Sequence, residues 1–251
     1  MAGLGGRRES WLTRTWAGLP VWAAIAFALV LAAVAALWLA NSAASSRAAA
    51  SASASPVDTA VRALFIGDSY TAGTGASSDA TRWSTLVAAD QGWEELNYGL
   101  GGTGYSSTSG FKGCGEEFCD KFAGTIEQAA ADGVEPDVVV ISGGQNDAGL
   151  WWQDSDAVIA DVDATYQAAR ATFPHARIIA VGPHLPGQPY GHWKFDFDDA
   201  VQEAAESVDG EFVSLMAPRA VKFRLYDAGD GVHVNDEGHR LIAQRVIEGI
   251  Q

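Results

Sequence analysis

Five short apolar runs, each followed by a segment with helical character, determine what the chain after residue 60 can fold into. The strongest run, residues 137–142 (DVVVIS), is continuous, β-branched and uncharged after its first residue, which is typical of a buried strand. Strands that alternate with helices pair in parallel through right-handed crossovers. The sequence therefore predicts a three-layer α/β/α sandwich with a central parallel sheet of about five strands. The predicted strands are residues 61–66, 93–98, 137–142, 177–181 and 211–215, and the predicted helices are residues 82–91, 118–131, 156–173, 195–208 and 235–250.

The segment before this domain has the composition of a membrane anchor. Residues 17–40 carry no charge, and as a helix they would span roughly 36 Å, enough to cross a hydrocarbon core of about 30 Å. Arg7, Arg8 and Arg14 precede the segment, so the positive-inside rule places residues 1–16 in the cytoplasm. We therefore predict a single-pass protein of the cell membrane, with one N-terminal transmembrane helix and its domain outside the cytoplasm.

A low-complexity segment separates the predicted anchor from the domain. Residues 41–56 are rich in Ala and Ser and indicate a linker, so the folded domain is predicted at residues 57–251. The apolar stretch is longer than the roughly 7–15 residues of a signal-peptide core, which favours an uncleaved anchor. The small residues at 42–50 also offer cleavage sites, so a secreted form is the alternative.

The charge of the domain limits the partners that it can bind. Residues 61–251 hold 12 basic and 29 acidic side chains, a formal net charge of −17. Such a surface repels phosphate backbones and anionic lipid headgroups, so we expect no nucleic-acid partner. The membrane is expected as a partner only through the N-terminal helix.

Two cysteines lie close together in a glycine-rich stretch. Cys114 and Cys119 are separated by four residues, and in an exported domain such a pair is expected to form a disulfide. A two-thiol metal site is the alternative, but no histidine lies near the pair in sequence.

Polar clusters follow three predicted strands, and a fourth precedes the last helix. They are residues 67–73 (GDSYTAG), 97–102 (NYGLGG), 143–147 (GGQND) and 230–233 (DGVH). In parallel α/β sheets the ligand lies outside the carboxyl ends of the strands. We therefore expect the four clusters to meet at one edge of the sheet.

These four blocks resemble those of the SGNH (GDSL-like) hydrolases, a family of esterases, lipases and carbohydrate deacetylases. The family has G-D-S, a Gly after the second strand, G-x-N-D and D-x-x-H in this order, and the chain contains all four between residues 67 and 233. The resemblance implies the flavodoxin-like SGNH hydrolase fold and a serine hydrolase. Tyr70 departs from the family, which often has Leu at this position.

The residue types suit nucleophilic catalysis on an ester. A serine hydroxyl needs an adjacent base to take its proton, and histidine is suited to this role near neutral pH. We expect Ser69 to be the nucleophile, His233 its base, and Asp230 the group that orients the imidazole. The resemblance assigns the oxyanion hole to the backbone amides of Ser69 and Gly102 and to the side-chain amide of Asn146.

Other polar and aromatic residues near these blocks have predicted roles outside the reaction. Asp68 is expected to be structural, and Asp147 is expected to cap the segment that follows it. His239 is expected to be a surface or packing residue of the last helix. Trp151 and Trp152 are candidates for the substrate rim, with a packed loop anchor as the alternative.

Two patterns resemble cofactor or metal sites but are read differently. Residues 99–104 match G-x-G-x-x-G after a strand, yet loop residues follow where a dinucleotide site needs a helix. His175, His184 and His192 lack the spacing of metal ligands. We therefore expect neither a cofactor nor a metal.

The sequence predicts hydrolysis of a carboxylic ester through an acyl-serine intermediate. The expected substrate is a small-molecule or glycan ester, with short acyl groups such as O-acetyl on extracellular or cell-wall carbohydrate favoured because no large apolar lid is evident. Two alternatives stay open: an O-acyltransferase that uses the same site on a glycan, and a catalytically silent carbohydrate-binding domain of the same fold.

Overall fold

The computed structural model describes residues 15–16, 19–52, 60–183, 192–216 and 223–250. The chain divides into two units, Met1–Thr59 and Ala60–Gln251. The first contains a two-stranded antiparallel pair, β1 (Thr15–Trp16) and β2 (Leu19–Pro20), and a helix, α1 (Val21–Ala52).

The predicted transmembrane segment, residues 17–40, falls in this first unit. In α1 the structure describes side chains only at Trp22 and residues 25–39. Among the residues that the structure describes, no helix combines the length and the apolarity that a membrane crossing requires.

The second unit is built on a five-stranded sheet in which every neighbouring pair is parallel, as predicted. The strands are β3 (Val61–Gly67), β4 (Trp93–Gly99), β5 (Val138–Ser142), β6 (Arg177–Val181) and β7 (Glu211–Val213). Their order in the sheet is β4-β3-β5-β6-β7. The chain moves from β3 to one side for β4 and then crosses to the other side for β5, so the direction of winding reverses at β3.

Helices cover both faces of this sheet because alternate strand residues point to opposite sides. The α-helices that the structure describes in the second unit are α2 (Ser69–Ala72), α3 (Trp83–Gln91), α4 (Phe122–Ala131), α5 (Ala148–Trp151), α6 (Ser155–Thr172), α7 (Trp193–Glu206) and α8 (Asp236–Gly249). Leu64 and Ile66 belong to one apolar cluster, together with residues of α4, α6 and α7. Ala63 and Phe65 belong to the other, together with residues of α3 and α8.

One helix begins a full turn later than predicted. Helix α4 starts at Phe122, whereas the sequence predicts a start at residue 118. Cys119 exchanges two backbone hydrogen bonds with Ser109, at 2.9 and 3.0 Å, and its sulfur is bonded to Cys114. These contacts hold the preceding residues in an extended loop, so they are not available to the helix.

Candidate active site

The predicted nucleophile lies directly beyond the carboxyl end of β3. Ser69 is the first residue of the one-turn helix α2, and Asp68 caps that helix by accepting the backbone N–H of Tyr70 at 2.9 Å. Gly67 allows the turn to be tight, because a Cβ at this position would overlap Thr71 and the carbonyl of Ser142. The strand and the cap together therefore place the Ser69 side chain at the edge of the sheet where its winding reverses, the usual ligand position in such folds.

Three side chains from two distant segments form a hydrogen-bonded chain at this edge. Ser69 Oγ lies 2.8 Å from His233 Nε2, and His233 Nδ1 lies 2.6 Å from Asp230 Oδ2. The carboxylate accepts from the protonated Nδ1, which leaves Nε2 free to accept the serine proton. The arrangement is that of a nucleophile, its base and the group that orients the base.

Asp230 also shapes the turn that carries the histidine. Its Oδ1 accepts the backbone N–H groups of Val232 at 2.9 Å and His233 at 2.8 Å. The hydrogen bond from the imidazole, followed by these two backbone bonds, holds the pKa of Asp230 well below its usual value. The carboxylate is therefore ionised at neutral pH, as the orienting role requires.

The glycine-rich loop after β4, which contains Gly102, passes next to Ser69. Gly101 packs next to the serine, since a Cβ built on it would lie 3.8 Å from Ser69 Cβ, and Gly102 has a φ of +81°. Asn146 Nδ2 donates to the carbonyl of Thr103 at 2.8 Å. An amide nitrogen carries two N–H groups, so this bond leaves Asn146 one further donor for a substrate oxygen.

Asp147 does not cap the following segment, and that prediction is wrong. No capping bond links its side chain to α5; the buried carboxylate instead accepts the backbone N–H groups of Tyr105, Ser106 and Ser107 at 2.8–3.0 Å. Burial raises the pKa of Asp147, and these hydrogen bonds act against the rise. Asp147 therefore anchors the loop that contains Gly102. Its position in the sequence, just before a predicted segment, indicated only a cap.

Asp68 is structural, as expected, and its environment is unusual. The side chain is 2% exposed, and burial raises its pKa from 3.8 to about 7, with a smaller contribution from the Asp147 carboxylate. A carboxyl group next to the nucleophile is thus held in a medium that favours its neutral form.

Helix α2, which carries Ser69, contacts the turn that carries His233 through the side chain of Tyr70. The Tyr70 hydroxyl donates to the carbonyl of Val232, and the tyrosine ring packs against His233 with a centroid separation of 5.4 Å. Gly75 makes a second close approach, because a Cβ there would overlap the carbonyl of Val234. The sequence marked Tyr70 only as a departure from the family pattern, so this contact was not predicted.

The two cysteines form the predicted disulfide, and residues just before its loop lie beside Gly101 and Gly102. Cys114 and Cys119 are bonded, and their Cα atoms lie 6.5 Å apart. The carbonyl of Gly113 occupies the space that a Cβ on Gly101 would need, and a Cβ on Gly102 would overlap Ser109 Oγ. Gly113 and Ser109, which precede the disulfide loop in the chain, therefore lie against these two glycines.

The two adjacent tryptophans lie in different environments. Trp151 is 8% exposed and stacks on Phe197 with centroids 4.8 Å apart, so the structure places it in the core. Trp152 is 62% exposed and contacts Trp193 at 5.4 Å. Of the two rim candidates, Trp152 alone offers an exposed aromatic face.

His239, predicted to be a surface or packing residue of the last helix, lies in the interior of the domain. His239 is fully buried, where Nδ1 accepts from the backbone N–H of Trp83 at 3.3 Å and Nε2 lies 3.2 Å from the carbonyl of Thr74. It is thus a packing residue.

Residues 105–121, which follow the glycine-rich stretch 99–104, form no helix, which agrees with the loop interpretation. In the part of the chain that the structure describes, no group of three or more His, Cys, Asp or Glu is arranged to hold a metal, and His184 lies outside that part.

Comparisons with known proteins agree with this arrangement. Residues 65–241 match the model of the GDSL-like lipase/acylhydrolase family. The chain is 29% identical over 196 residues to a GDSL lipase of Mycobacterium tuberculosis, with 72% of this chain and 78% of the relative covered. TesA has a similar fold, with a TM-score of 0.57 and 21% identity over 76% of this chain and 98% of TesA. Est24, a carbohydrate acetylesterase from Sinorhizobium meliloti, has a TM-score of 0.55 at 17% identity, covering 75% of this chain and 97% of Est24. The chain therefore belongs to the GDSL-like lipase/acylhydrolase family and is a serine hydrolase.

Proposed function

We propose that this protein removes short acyl groups, O-acetyl above all, from extracellular or cell-wall carbohydrate. The observation that carries the proposal is the hydrogen-bonded chain from Ser69 Oγ through His233 to Asp230, at 2.8 and 2.6 Å. A binding module would have no need of an activated serine, so this intact chain favours turnover over a catalytically silent domain.

The proposed reaction has two steps at Ser69. His233 Nε2 takes the proton of Ser69 as Oγ attacks the ester carbonyl, and it then passes that proton to the departing alcohol, leaving an acyl-serine. Water attacks the acyl-serine in the same way, which releases the acid and restores the serine. Asp230 holds the imidazole in the required tautomer and stabilises the imidazolium formed in each step.

The negative charge on the ester oxygen needs donors during both steps. The backbone amides of Ser69 and Gly102 and the side-chain amide of Asn146 are assigned this role. Their support is the position of Gly101 beside Ser69 and the bond that fixes Asn146 to Thr103. Donors held in place before the reaction stabilise the tetrahedral intermediate without a cost for reorganisation.

The carbohydrate assignment rests on an exposed tryptophan and on the chemistry of one protein of similar fold. Trp152 presents an exposed indole on which a sugar ring can stack. Est24, which shares the fold, is a carbohydrate acetylesterase. Trp152→Ala is expected to raise KM for an acetylated oligosaccharide about fivefold and to leave KM for p-nitrophenyl acetate unchanged. Equal effects on both substrates would remove Trp152 from sugar binding.

The first experiment measures hydrolysis of p-nitrophenyl esters from acetate to palmitate by the full chain and by Ser69→Ala. Turnover that falls with chain length and is lost in the variant is expected. Ser207→Ala is the matched control, because Ser207 Oγ donates to the carbonyl of Ala204 at the end of α7. Activity retained by Ser69→Ala would refute the assignment of the nucleophile.

The same assay distinguishes hydrolysis from acyl transfer. With a sugar acceptor present, a hydrolase releases free acid in proportion to p-nitrophenol, whereas an O-acyltransferase passes the acyl group to a sugar hydroxyl. Free acid equal to p-nitrophenol is expected. A deficit of acid matched by acylated sugar would shift the assignment to the transferase.

The proposed site of action is outside the cytoplasm. Its support is the Cys114–Cys119 disulfide, since disulfides persist in oxidising compartments and are rare in the cytosol. The sequence favours retention at the membrane over release. Sequencing the N-terminus of the mature protein distinguishes the two, because a start near residue 43 would show cleavage.

A further inference from the structure

We propose that Tyr70 is a positioning residue that fixes the catalytic base against the nucleophile. The proposal rests on the proposed roles of Ser69 and His233. Tyr70 follows Ser69 directly in α2, and its hydroxyl donates to the carbonyl of Val232, the residue before the base. One side chain thus connects the element that carries the nucleophile to the element that carries the base.

The turn that carries the base needs an external contact to fix its position. Residues 227–232 are exposed, and Gly229 and Gly231 have φ values of +106° and +74°. Asp227 Oδ1 accepts the backbone N–H groups of both glycines, at 2.7 and 3.0 Å. Together with the bonds of Asp230, these bonds determine the internal shape of the turn, but they do not determine its distance from Ser69.

Tyr70 is suited to supply that external contact. Its side chain is 4% exposed, whereas Val232 is 42% exposed. The buried ring has a fixed position between the core and the turn, and it also contacts the imidazole of His233. Burial, followed by the nearby carboxylate of Asp68, raises the pKa of Tyr70, so the hydroxyl stays protonated and remains a donor at the pH where histidine acts as a base.

The departure from the family pattern thereby acquires a function. Leu, which the family often has here, can pack against the turn but cannot donate a hydrogen bond to the carbonyl of Val232. In this chain the hydroxyl adds a directional contact to the packing. Because proton transfer depends on the distance and angle between Ser69 Oγ and His233 Nε2, loss of that contact acts on the rate of the chemical step.

Tyr70→Phe removes the hydroxyl and retains the ring. We expect kcat on p-nitrophenyl acetate to fall about tenfold and KM to stay within about twofold, because the acyl site is untouched while the base is less well placed. The rate at which a serine-reactive phosphonate labels Ser69 should fall by the same factor. A kcat within about twofold of wild type would overturn the proposal.

A matched variant controls for the loss of a tyrosine hydroxyl elsewhere. Tyr98 OH donates to Asp132 Oδ2 at 2.9 Å, beyond the end of α4. Tyr98→Phe should leave kcat and the labelling rate within about twofold of wild type. Both variants should lower Tm by no more than about 4 °C, as expected for one partly exposed hydrogen bond. A fall in kcat as large in Tyr98→Phe as in Tyr70→Phe would contradict a specific role for Tyr70.

The decisive measurement combines Tyr70→Phe with His233→Ala. If Tyr70 acts through the base, its hydroxyl has nothing to position once the imidazole is gone. Tyr70→Phe should then change the residual rate of His233→Ala by less than about twofold. A further tenfold loss in the His233→Ala background would show an effect independent of the base and overturn the proposal. Ser69→Ala separates the two levels of inference: activity retained by that variant refutes the proposed function itself, whereas an inactive Ser69→Ala beside a fully active Tyr70→Phe refutes only the role of Tyr70.

Discussion

Replacement of the buried Asp68 by asparagine is expected to change how the stability of the protein depends on pH. Burial raises the pKa of Asp68 from 3.8 in its ordinary state to about 7 in the folded protein. Between these two values the folded protein holds a proton that the unfolded chain releases. Unfolding then loses a proton, so the free energy of unfolding falls as the pH rises through this window and is lowest above the folded pKa.

The size of the effect follows from the difference between the two pKa values. A difference of about three pKa units corresponds to about 4 kcal/mol over the whole window. Between pH 5.5 and pH 8, a range that stays clear of the sequence pI near 4.5, about 2 kcal/mol of this is lost. The asparagine side chain would retain a carbonyl to accept the N–H of Tyr70 but would not titrate. The free energy of unfolding of Asp68→Asn, relative to that of the wild type, should therefore rise by about 2 kcal/mol from pH 5.5 to pH 8.

Urea unfolding at pH 5.5 and pH 8 measures this difference directly. Glu237→Gln is the control, because hydrogen bonds from the guanidinium of Arg240 hold the pKa of Glu237 below its usual value. Glu237 is then ionised in both states across the range, and Arg240 does not titrate there, so the replacement should change stability by an amount that does not vary with pH. A difference between Asp68→Asn and wild type that is the same at both pH values would refute the burial argument.

Three further variants test the residues proposed for the oxyanion hole and their support. Asn146→Ala is expected to lower kcat on p-nitrophenyl acetate about 100-fold with little change in KM, because such a donor acts chiefly in the transition state. An unchanged kcat would exclude Asn146 from the site. Asp147→Asn leaves one of three backbone N–H groups without an acceptor, so the free energy of unfolding should fall by about 2 kcal/mol, and a wild-type urea midpoint would contradict this. Replacing Cys114 and Cys119 with serine should cost about 2 kcal/mol of stability and lower kcat. Dithiothreitol should reproduce that loss in the wild type and leave the double variant unaffected; a wild type insensitive to reductant would refute the role of the disulfide.

The sheet was predictable because its strands are recognised from local composition. Strands buried on both faces consist of apolar, often β-branched residues, and β5 (Val138–Ser142) begins one residue from its predicted start for that reason. The order of strands and helices then requires parallel pairing, and the polar residues at the strand ends identify the functional edge. The proximity of Ser69, His233 and Asp230 could therefore be predicted before their distances were known.

Errors occurred where a residue's environment depends on a distant segment. The predicted start of α4 was wrong because Cys119 pairs with Ser109. The predicted role of Asp147 was wrong because its hydrogen-bond partners lie about 40 residues earlier in the chain. Trp151 and Trp152 are chemically identical neighbours. A one-turn helix has no hydrophobic period from which to tell the buried one from the exposed one.

The sequence by itself determined the class of fold, the order of the elements and the residues that perform the proposed chemistry, because apolar period and motif spacing are local properties of the chain. Only the tertiary structure decided how those residues are supported. Tyr70 and Val232 are 162 residues apart, and their contact exists because α2 and the turn before α8 meet at the same edge of the sheet. No local pattern encodes such a contact, since it arises from the closure of the whole domain around β3 and β5.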